Sequence, residues 1–344
     1  MVITPLPRAP ADRLEGGLRL DHCPFCLGSA SEYDVGNKTT PLAGRLAVVT
    51  GAARGVGEGI ARELARYGAR VVVLGREEES LARLADSLPV EAHTFEVDVT
   101  DDAAMDRVAA RIHDRIGPPS VVVANAGVAE GGPFVTSDPA TWRRVIEVNL
   151  IGSAITARAF LPGLLATRGY FLQIASTAAF GPAPMMSAYC ASKAGVESFA
   201  QCLRAELGHQ GVGVGIAYLN WTDTDMIRDA DQHGVLRELR AHMPPPARRV
   251  HPVEKVAARL VTAVERRSPT VYAPSWLRLA QPVRPVLPPL VTWISRRELP
   301  RLAERVRFDA TGLLGTGGRA DRTADTDRTA GTDGTAGTQG THGV

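Results

Sequence analysis

Tyr189 and Lys193 have residue types and a spacing suited to proton transfer. They are four positions apart, so on a helix both side chains project from one face toward the same space. A phenol with an ordinary pKa of about 10 is a poor base at neutral pH, and a neighbouring ammonium lowers that pKa by favouring the phenolate. The pair therefore predicts a tyrosine that acts as general acid or base and a lysine that tunes it.

Two polar residues upstream complete such a site. Ser176 follows the apolar run Tyr170–Ala175, and at the carboxyl edge of a strand its hydroxyl can donate to a substrate oxygen on which negative charge develops. Asn149 lies in a stretch with helical periodicity. Taken singly, Ser176 is equally consistent with a turn hydroxyl and Asn149 with a helix-interior amide. The set as a whole predicts a catalytic site made of Asn149, Ser176, Tyr189 and Lys193.

The segment Thr50–Gly57 (TGAARGVG) lies between the first predicted strand and the first predicted helix. Glycines let a backbone approach phosphates closely, and the free N–H groups at a helix start favour an anion. The alternative is a turn into a helix that needs its glycines only for packing. Because the segment follows a strand and is in register with the later motifs, it predicts a dinucleotide-binding loop. The contacting residues would be Gly51, Ala53, Arg54, Gly55, Val56 and Gly57.

The end of the second predicted strand lacks the carboxylate that would bind the ribose hydroxyls of an adenosine. Leu74 is followed there by Gly75 and Arg76. Arg76 and Arg54 together suit a 2′-phosphate, since guanidinium matches its geometry and charge. The prediction is therefore NADP(H), with NAD(H) as the less favoured cofactor. Under the alternative, both arginines are solvated loop residues, and Glu77–Glu79 reduce the positive potential around them.

Apolar runs of β type alternate with amphipathic helical stretches from Arg45 onward. This alternation predicts an α/β fold, a Rossmann-type, doubly wound parallel sheet of about seven strands with helices on both faces. The predicted strands are Leu46–Thr50, Arg70–Leu74, Glu91–Val97, Ser120–Ala124, Tyr170–Ala175, Val212–Leu219 and Thr270–Ala273.

Helix signals separate these strands. An apolar repeat over Val56–Leu64, followed by Gly68, predicts a helix of about three turns. Asp138 before Pro139 is typical of an N-cap and a first-turn proline. A further helix is predicted over Ser187–Leu207.

The order of these motifs resembles that of the short-chain dehydrogenase/reductase family over about residues 44–275. Single motifs of this kind are common by chance, but their joint order and spacing are specific, including the thirteen positions from Ser176 to Tyr189. The resemblance implies an NADP(H)-dependent oxidoreductase that interconverts a carbonyl and an alcohol by hydride transfer. The motifs that carry it are Thr50–Gly57, Asp98, Ala124–Gly127 (ANAG), Asn149, Ser176 and Tyr189–Lys193 (YCASK).

The resemblance also implies roles for individual residues. Lys193 would hold the hydroxyls of the nicotinamide ribose, and Asn149 would hold a water behind that lysine. Asp98 would face the adenine, Asn125 would secure the edge of the central strand, and Thr224 would bond the nicotinamide amide. The remaining implied cofactor contacts are Val99, Ala126, Gly127 and Tyr189.

One segment departs from the family pattern. Where the family usually has Pro-Gly, the chain reads Leu219–Thr224 (LNWTDT). Asn220 can adopt the left-handed backbone conformation that a glycine would supply, so we expect the turn before Thr224 to be kept.

Four regions are expected along the chain. Residues 1–43 alternate Pro, Gly and charge without periodicity, which indicates a loosely ordered N-terminal extension. Residues 44–275 form the catalytic domain, and residues 276–310 form an amphipathic C-terminal extension. From residue 311 to 344, Thr-rich near-repeats with one apolar pair, Leu313 and Leu314, predict a disordered low-complexity tail, with an interaction tail as the alternative.

Composition and charge argue against several classes of function. The chain is 44% apolar and 22% charged, as globular proteins are. Its 39 basic against 37 acidic side chains give a net charge of +2, which provides no basic field for nucleic acid. The chain has only four cysteines, no apolar signal-peptide core and no run of about 18 apolar residues. We therefore expect a cytoplasmic protein without a nucleic-acid partner.

No metal site is predicted. Cys23 and Cys26, beside His22, resemble half of a zinc knuckle, but a structural zinc needs four ligands and no second pair lies nearby. The other histidines are scattered without metal-ligand spacing.

A small carbonyl or alcohol is the expected partner. Phe180, Met185, Met186 and Trp221, with a lid over Asp225–Pro246, are expected to select it, and their apolar character favours a hydrophobic compound. Alternatively, these side chains fill the core beneath the lid. The main rival function is a catalytically silent NADP-binding sensor or scaffold of the same fold; epimerisation or dehydration is a second.

Three regions of the chain are expected to contact larger partners. The extension 276–310 is expected to pack on the domain or on a neighbouring subunit with its arginines in water, and peripheral membrane contact is the alternative. The family resemblance implies a homodimer or homotetramer that pairs through Asp138–Leu165 and Ser187–Leu207.

Overall fold

The computed structural model of the chain describes residues 40–315, 317 and 318. Residues 1–39 of the expected N-terminal extension, with Cys23 and Cys26, and the tail beyond Gly318 lie outside the described residues. Residues 40–43, which were expected to belong to the extension, are described, and Leu42 among them is buried. All strands named below lie between Leu46 and Ala273, within the region expected to form the catalytic domain.

One parallel sheet forms the centre of the protein. Its strands are β1 (Leu46–Thr50), β2 (Arg70–Gly75), β3 (Ala92–Glu96), β4 (Val121–Ala124), β5 (Tyr170–Ser176), β6 (Gly213–Leu219) and β7 (Thr270–Ala273). They are ordered β3-β2-β1-β4-β5-β6-β7, and all neighbours pair in parallel. The predicted seven-stranded α/β fold is confirmed, with every strand end within one residue of its predicted position. The strand order reverses between β1 and β4, where sheets of this kind open a ligand crevice.

Helices surround this sheet. They are α1 (Gly55–Arg66), α2 (Glu78–Asp86), α3 (Asp102–Arg115), α4 (Pro139–Ile146), α5 (Gly152–Thr167), α6 (Ser187–Leu207), α7 (Asp225–Gln232), α8 (Gly234–Ala241), α9 (Pro245–Arg248), α10 (Val253–Glu265), α11 (Leu277–Ala280) and α12 (Leu287–Ala303). A π-helical stretch, Glu147–Ile151, joins α4 to α5. Short 3-10 turns occur at Phe134–Thr136, Thr177–Ala179, Gly208–Gln210 and Arg284–Val286.

The predicted helix signals are confirmed. α1 follows the glycine-rich segment, and α6 spans the predicted Ser187–Leu207. The Asp138 carboxylate caps α4 by accepting from the backbone N–H groups of Ala140 and Thr141 at 3.2 and 3.0 Å. These local signals therefore fix where the helices start relative to the strand ends.

Alternate residues of every strand but the edge strand β3 face two separate cores. On β1, Val48 faces one core and Val49 the other. The first core contains apolar residues of α3, α5 and α6, and the second contains those of α1, α2 and α10. Strands buried on both faces are apolar throughout, which explains their valine-rich runs. The sheet is doubly wound, and its carboxyl edge stays open for a site.

α4, the π-helical stretch and α5 form one continuous helix, Pro139–Thr167, of 29 residues. With a mean hydropathy of 1.4 it is, within the described part of the chain, the one helix long and apolar enough to cross a membrane. Yet 44% of its apolar window is buried inside the protein, and Ile155 and Phe160 lie in the first core. This apolarity is that of a helix packed against a sheet.

The chain returns to the domain after α12. Leu313 and Leu314 are both buried; Leu313 pairs with Glu130 in an antiparallel bridge, and the Leu314 N–H donates to the Ala129 carbonyl at 2.8 Å. The structure thus differs from the predicted disordered tail, since residues 311–315 are packed. The reason is that Leu313 and Leu314 bury their apolar side chains against the loop at Ala129 and Glu130. Their backbone also forms hydrogen bonds with that loop.

Candidate active site

The end of β5 and the start of α6 place the proton-transfer residues side by side. Ser176 is the last residue of β5, Tyr189 lies in the first turn of α6, and Lys193 follows one turn later. The Tyr189 hydroxyl is hydrogen-bonded to the Ser176 side chain, and Lys193 Nζ lies 5.6 Å from the centroid of the Tyr189 ring. The structure therefore brings together three of the four side chains that the sequence indicated for catalysis.

Lys193 is buried, with 5% of its surface exposed. Its Nζ donates to the backbone carbonyl of Ile174 at 3.3 Å. Burial lowers the pKa of Lys193 from 10.5 to about 8, because an ammonium in a protein interior loses its hydration. Near neutral pH the side chain is still a cation, and it lies at the crevice wall, where it can donate to sugar hydroxyls.

The electrostatics of Tyr189 differ from the sequence-based expectation. Burial raises the pKa of Tyr189, and the hydrogen bond with Ser176 offsets only part of that effect. The Lys193 amine lies beside the ring and bonds to Ile174, and the lowering of this pKa by Lys193 stays a prediction. Tyr189 is therefore a protonated phenol at neutral pH, which is the form of a general acid.

Asn149 lies behind these residues, in the π-helical stretch between α4 and α5. Its Oδ1 accepts from the Val128 N–H at 2.8 Å, and its Nδ2 donates to the Val128 carbonyl and to Ser192 Oγ, each at 2.9 Å. π-helical turns occur frequently at functional sites. The Asn149 amide thus ties the loop after β4 to α6 beside Lys193, and it does not itself line the crevice.

The glycine-rich segment forms a tight loop against the end of β4. Gly51 and Gly55 have φ angles of +62° and +56°, in the left-handed region that favours glycine. A Cβ on Gly57 would lie 2.2 Å from the Gly51 carbonyl oxygen, so this residue must be glycine for packing. Asn125 Nδ2 donates to the same carbonyl at 3.1 Å. The loop leads into the N-terminus of α1, and this geometry fits a dinucleotide pyrophosphate.

A crevice with a volume of about 250 Å³ extends along the carboxyl edge from the glycine-rich segment to Tyr189. Its wall contains Ser176, Tyr189 and Lys193 and every residue that the sequence placed at the cofactor except Gly57. Those cofactor positions are Gly51, Ala53, Arg54, Gly55, Val56, Arg76, Asp98, Val99, Asn125, Ala126, Gly127, Tyr189, Lys193 and Thr224.

Arg54 and Arg76 lie on the same part of this wall. Arg54 Nη1 is 3.1 Å from Glu77 Oε1. Arg76 Nη2 donates to the Gly317 carbonyl at 2.9 Å, and its Nη1 is 4.0 Å from Asp98 Oδ2. The two guanidinium groups are thus close enough in the fold to serve one ligand, although Glu77 reduces the positive potential there.

Asp98 is held in its ionised form at the crevice wall. Its Oδ1 accepts from the Thr100 N–H and Oγ1 at 2.9 and 2.7 Å, and Arg144 donates to its Oδ2. Burial acts to raise the pKa of Asp98, but the hydrogen bonds from Thr100 and the Arg144 guanidinium together hold it below its usual range. A carboxylate in this state can accept a hydrogen bond from an amino group such as that of adenine.

The turn before Thr224 is held by hydrogen bonds of Asn220 and not by the expected left-handed backbone conformation. Asn220 does not adopt the left-handed backbone conformation. Its Nδ2 donates to the Ala247 carbonyl at 3.0 Å, and its N–H donates to the Ala273 carbonyl at 3.0 Å. A Cβ on Gly55 would lie 3.1 Å from the Thr224 methyl carbon, so Thr224 faces the glycine-rich segment. Side-chain bonding of Asn220 replaces the conformational freedom of a glycine.

An apolar cluster lies beside Tyr189 on the substrate side of the crevice. Much of it comes from α7 and α8, within the expected lid. Its members include Ala129, Met185, Met186, Tyr189, Met226, Ala230, Val235, Leu236, Leu239, Val306, Phe308 and Leu314. Phe180 is not part of it, because its ring is buried in the first core 4.8 Å from that of Tyr218. For Phe180 the alternative that it fills the core is therefore correct. The Trp221 ring lies under the Arg240 guanidinium.

The C-terminal residues that line the crevice were not predicted from the sequence. Leu314, Gly315, Gly317 and Gly318 line it, and the Gly315 N–H donates to Asp229 Oδ2 at 2.7 Å. The apolar pair and the glycines after it were visible in the sequence, but no local pattern shows what they pack against. Other wall residues that were not singled out from the sequence include Val128, Arg144 and Val148.

Within residues 40–315, 317 and 318, no group of three or more His, Cys, Asp or Glu side chains could hold an ion.

Comparison with known proteins agrees with this geometry. The chain matches the short chain dehydrogenase family over residues 45–234. It is 33% identical to the 2,3-dihydro-2,3-dihydroxybenzoate dehydrogenase of Bacillus subtilis over 208 residues, which are 59% of this chain and 80% of that protein. It is 32% identical to the probable oxidoreductase EphD of Mycobacterium tuberculosis over 245 residues, 65% of this chain. The chain spans 40% of the length of EphD.

A solved structure shows the same architecture. The crystal structure of a variant of actinorhodin polyketide ketoreductase with NADPH superposes with a TM-score of 0.62 and 28% identity, covering 67% of this chain and 95% of that protein. The chain therefore belongs to the short-chain dehydrogenase family, as the sequence motifs indicated.

Proposed function

We propose that this protein reduces a carbonyl group of an apolar small molecule to an alcohol with NADPH. The observation that carries the proposal is the hydrogen-bonded pair of Tyr189 and Ser176, with Lys193 beside it, on the wall of the crevice that begins at the glycine-rich segment. A cofactor bound along this crevice would end next to a proton donor, as carbonyl reduction requires.

Each residue of the site has a separate role in the proposed reduction. A bound NADPH would supply the hydride for the carbonyl carbon. Ser176 donates a hydrogen bond to the substrate oxygen, and Tyr189 transfers its proton to that oxygen as negative charge develops. Lys193 holds the ribose hydroxyls, and Asn149 keeps α6 fixed to the loop after β4. Solvent then returns a proton to the Tyr189 phenolate, so the net change is one hydride and one proton added.

Reduction is the direction favoured near neutral pH. Burial raises the pKa of Tyr189, so the phenol is protonated and ready to donate. Oxidation of an alcohol would need the phenolate as base, and this form becomes available only at alkaline pH.

The choice of NADP(H) rests on the adenosine end of the crevice. β2 ends at Gly75 without a carboxylate, and Arg54 and Arg76 both line the wall beside it. Two guanidinium groups can bind a phosphate through several charge-assisted hydrogen bonds. The ketoreductase with a related fold was crystallised with NADPH, which supports the same choice here.

An apolar substrate is proposed from the surroundings of Tyr189. The cluster formed by Met185, Met186, Met226 and Leu236 packs against that residue. Methionine side chains adapt to irregular apolar ligands, and apolar walls with few polar groups are typical of small-molecule sites.

The test is consumption of NADPH, followed by its absorbance, with a panel of apolar and polar ketones and aldehydes, and with NADH in parallel. We expect turnover with NADPH and apolar ketones, and mass spectrometry should find the corresponding alcohol. Tight binding of NADPH without turnover of any carbonyl would instead identify a silent binding protein of the same fold. A product formed without net NADPH consumption would indicate epimerisation or dehydration.

A further inference from the structure

Exposed apolar side chains are concentrated on one C-terminal segment. Of the nine large apolar side chains exposed among the described residues, six lie between residues 279 and 294. Leu279 is 73% exposed and Trp293 54%. Single exposed apolar residues are ordinary, but a contiguous group indicates a binding surface. We name this group the C-terminal apolar face; its members are Leu279, Val283, Val286, Leu290, Trp293 and Ile294.

α12 contributes half of this face and packs on the domain by its other side. Its less exposed residues recur three or four positions apart and end in the buried Leu302. They are Leu287, Val291, Ser295, Glu298, Leu299 and Leu302. Because successive helix residues are roughly 100° apart, Leu290 and Trp293 lie outside this packed stripe and point away from it.

The segment is held firmly on the domain, so the face is preformed. Arg284 donates to both carboxylate oxygens of the buried Glu197 at 2.6 and 2.7 Å and also to the Ala179 carbonyl. Leu277 and Leu302, near the two ends, are 2% and 3% exposed. A surface that is already ordered loses little conformational entropy on binding.

The charge of the segment selects the partner. Residues 276–307 contain seven arginines and two glutamates, a difference of five positive charges, while the whole chain carries only +2. The Arg297 guanidinium lies 3.8 Å from the centroid of the Trp293 ring. Pairing of this face with a second copy of itself would bring like charges together. An apolar face with a basic surround instead complements an anionic bilayer surface.

We propose that the C-terminal apolar face binds the surface of an anionic phospholipid bilayer, with α12 lying in the plane of the headgroups. Leu279, Leu290 and Trp293 enter the boundary between headgroups and acyl chains, and the arginines contact lipid phosphates. The protein thereby works at a membrane surface.

The test is co-sedimentation of the intact chain with vesicles of equal parts phosphatidylglycerol and phosphatidylcholine, and with phosphatidylcholine alone. We expect binding to the mixed vesicles that weakens as salt is added. Leu290→Glu and Trp293→Glu should each lower the bound fraction about tenfold, because a negative charge replaces an apolar side chain that would be buried in the bilayer. Thr292→Glu is the matched control, since it adds the same charge to the same helix roughly 200° around from Leu290. It should lower binding only a few-fold at most.

Three outcomes would overturn the proposal. The first is that the intact chain ignores the mixed vesicles. The second is that Thr292→Glu lowers binding as strongly as Leu290→Glu does. The third is that light scattering shows a dimer that Leu290→Glu converts to a monomer while neither form binds vesicles, which would make the face a self-association surface. Unchanged circular dichroism and thermal melting in all variants would exclude misfolding as the cause of lost binding.

Discussion

Lys193 reaches back along α6 to lie beside Tyr189, with its Nζ 5.6 Å from the centroid of the tyrosine ring. The two side chains share a buried environment, but Lys193 Nζ donates its hydrogen bond to the Ile174 carbonyl and not to Tyr189. Burial therefore acts on both groups in the direction of their neutral forms, lowering the pKa of the lysine and raising that of the tyrosine. The neutral phenol is suited to donate a proton, and the buried cation is suited to bind ribose.

Lys193→Met should give a more stable but inactive protein. Below about pH 8 both folded and unfolded chains carry the Lys193 proton, so the full cost of burying the cation is present. As pH rises from about 8 to 10.5 the folded state releases this proton first, and the cost is relieved. We expect a gain of about 2 kcal/mol near neutral pH that shrinks in alkali, measured by denaturant unfolding.

The control for this prediction is Lys255→Met, because Lys255 is exposed on α10. It should change stability by no more than a few tenths of a kcal/mol. If Lys193→Met instead lowers the free energy of unfolding, and does so equally at neutral and alkaline pH, the cation is not the destabilising group.

Arg76→Gln should weaken binding of NADPH and spare that of NADH. Loss of a charge-assisted contact to the 2′-phosphate corresponds to about a tenfold rise in KM for NADPH, read from initial rates with each cofactor. Arg83→Gln, at an exposed position on α2, is the matched control and should leave both values unchanged. Equal effects of Arg76→Gln on the two cofactors would contradict the assignment of NADP(H).

A chain that ends at Ala310 should be less stable and should bind NADPH more weakly. It lacks the buried Leu313 and Leu314, whose apolar burial contributes roughly 1.5–3 kcal/mol each as an upper range. It also lacks the part of the crevice wall at Gly315 and Gly317. A chain that ends at Gly318 keeps these contacts and should match the full chain. Identical melting and affinity for all three chains would show that the packed segment contributes nothing.

Arg284→Met should destabilise the protein by about 3 kcal/mol, because it leaves the Glu197 carboxylate buried without its cation. That carboxylate also accepts from the Tyr218 hydroxyl at 2.6 Å. Arg301→Met removes the arginine of an exposed pair with Glu298 and should cost less than about 0.5 kcal/mol. Similar unfolding free energies for the two variants would contradict a structural role for the buried pair.

Much of the fold was predictable because its signals are local. Valine-rich runs mark strands buried on both faces, and Asp138 before Pro139 marks a helix start, whatever the rest of the chain does. The candidate site was predictable for the same reason, since helical spacing brings Tyr189 and Lys193 to one face and the end of β5 places Ser176 opposite.

The remainder depends on contacts between distant residues. Arg144 reaches Asp98 across 46 positions, and Arg76 reaches Gly317 across 241. The sequence suggests Phe180 as a substrate contact, whereas in the structure its ring packs at a tilt against that of Tyr218. The pKa of Tyr189 depends on how deeply the ring is buried and on where the lysine amine bonds. None of these is encoded in a short pattern.

The central claim is that the Tyr189 phenol delivers the proton to the substrate oxygen. The most direct measurement compares single-turnover consumption of NADPH by the native protein and by Tyr189→Phe, using a ketone found active in the panel and with NADPH affinity measured separately. We expect Tyr189→Phe to lower the rate by at least about a hundredfold and to change NADPH affinity by less than about twofold. A Tyr189→Phe protein that reduced the ketone at nearly the native rate would contradict it.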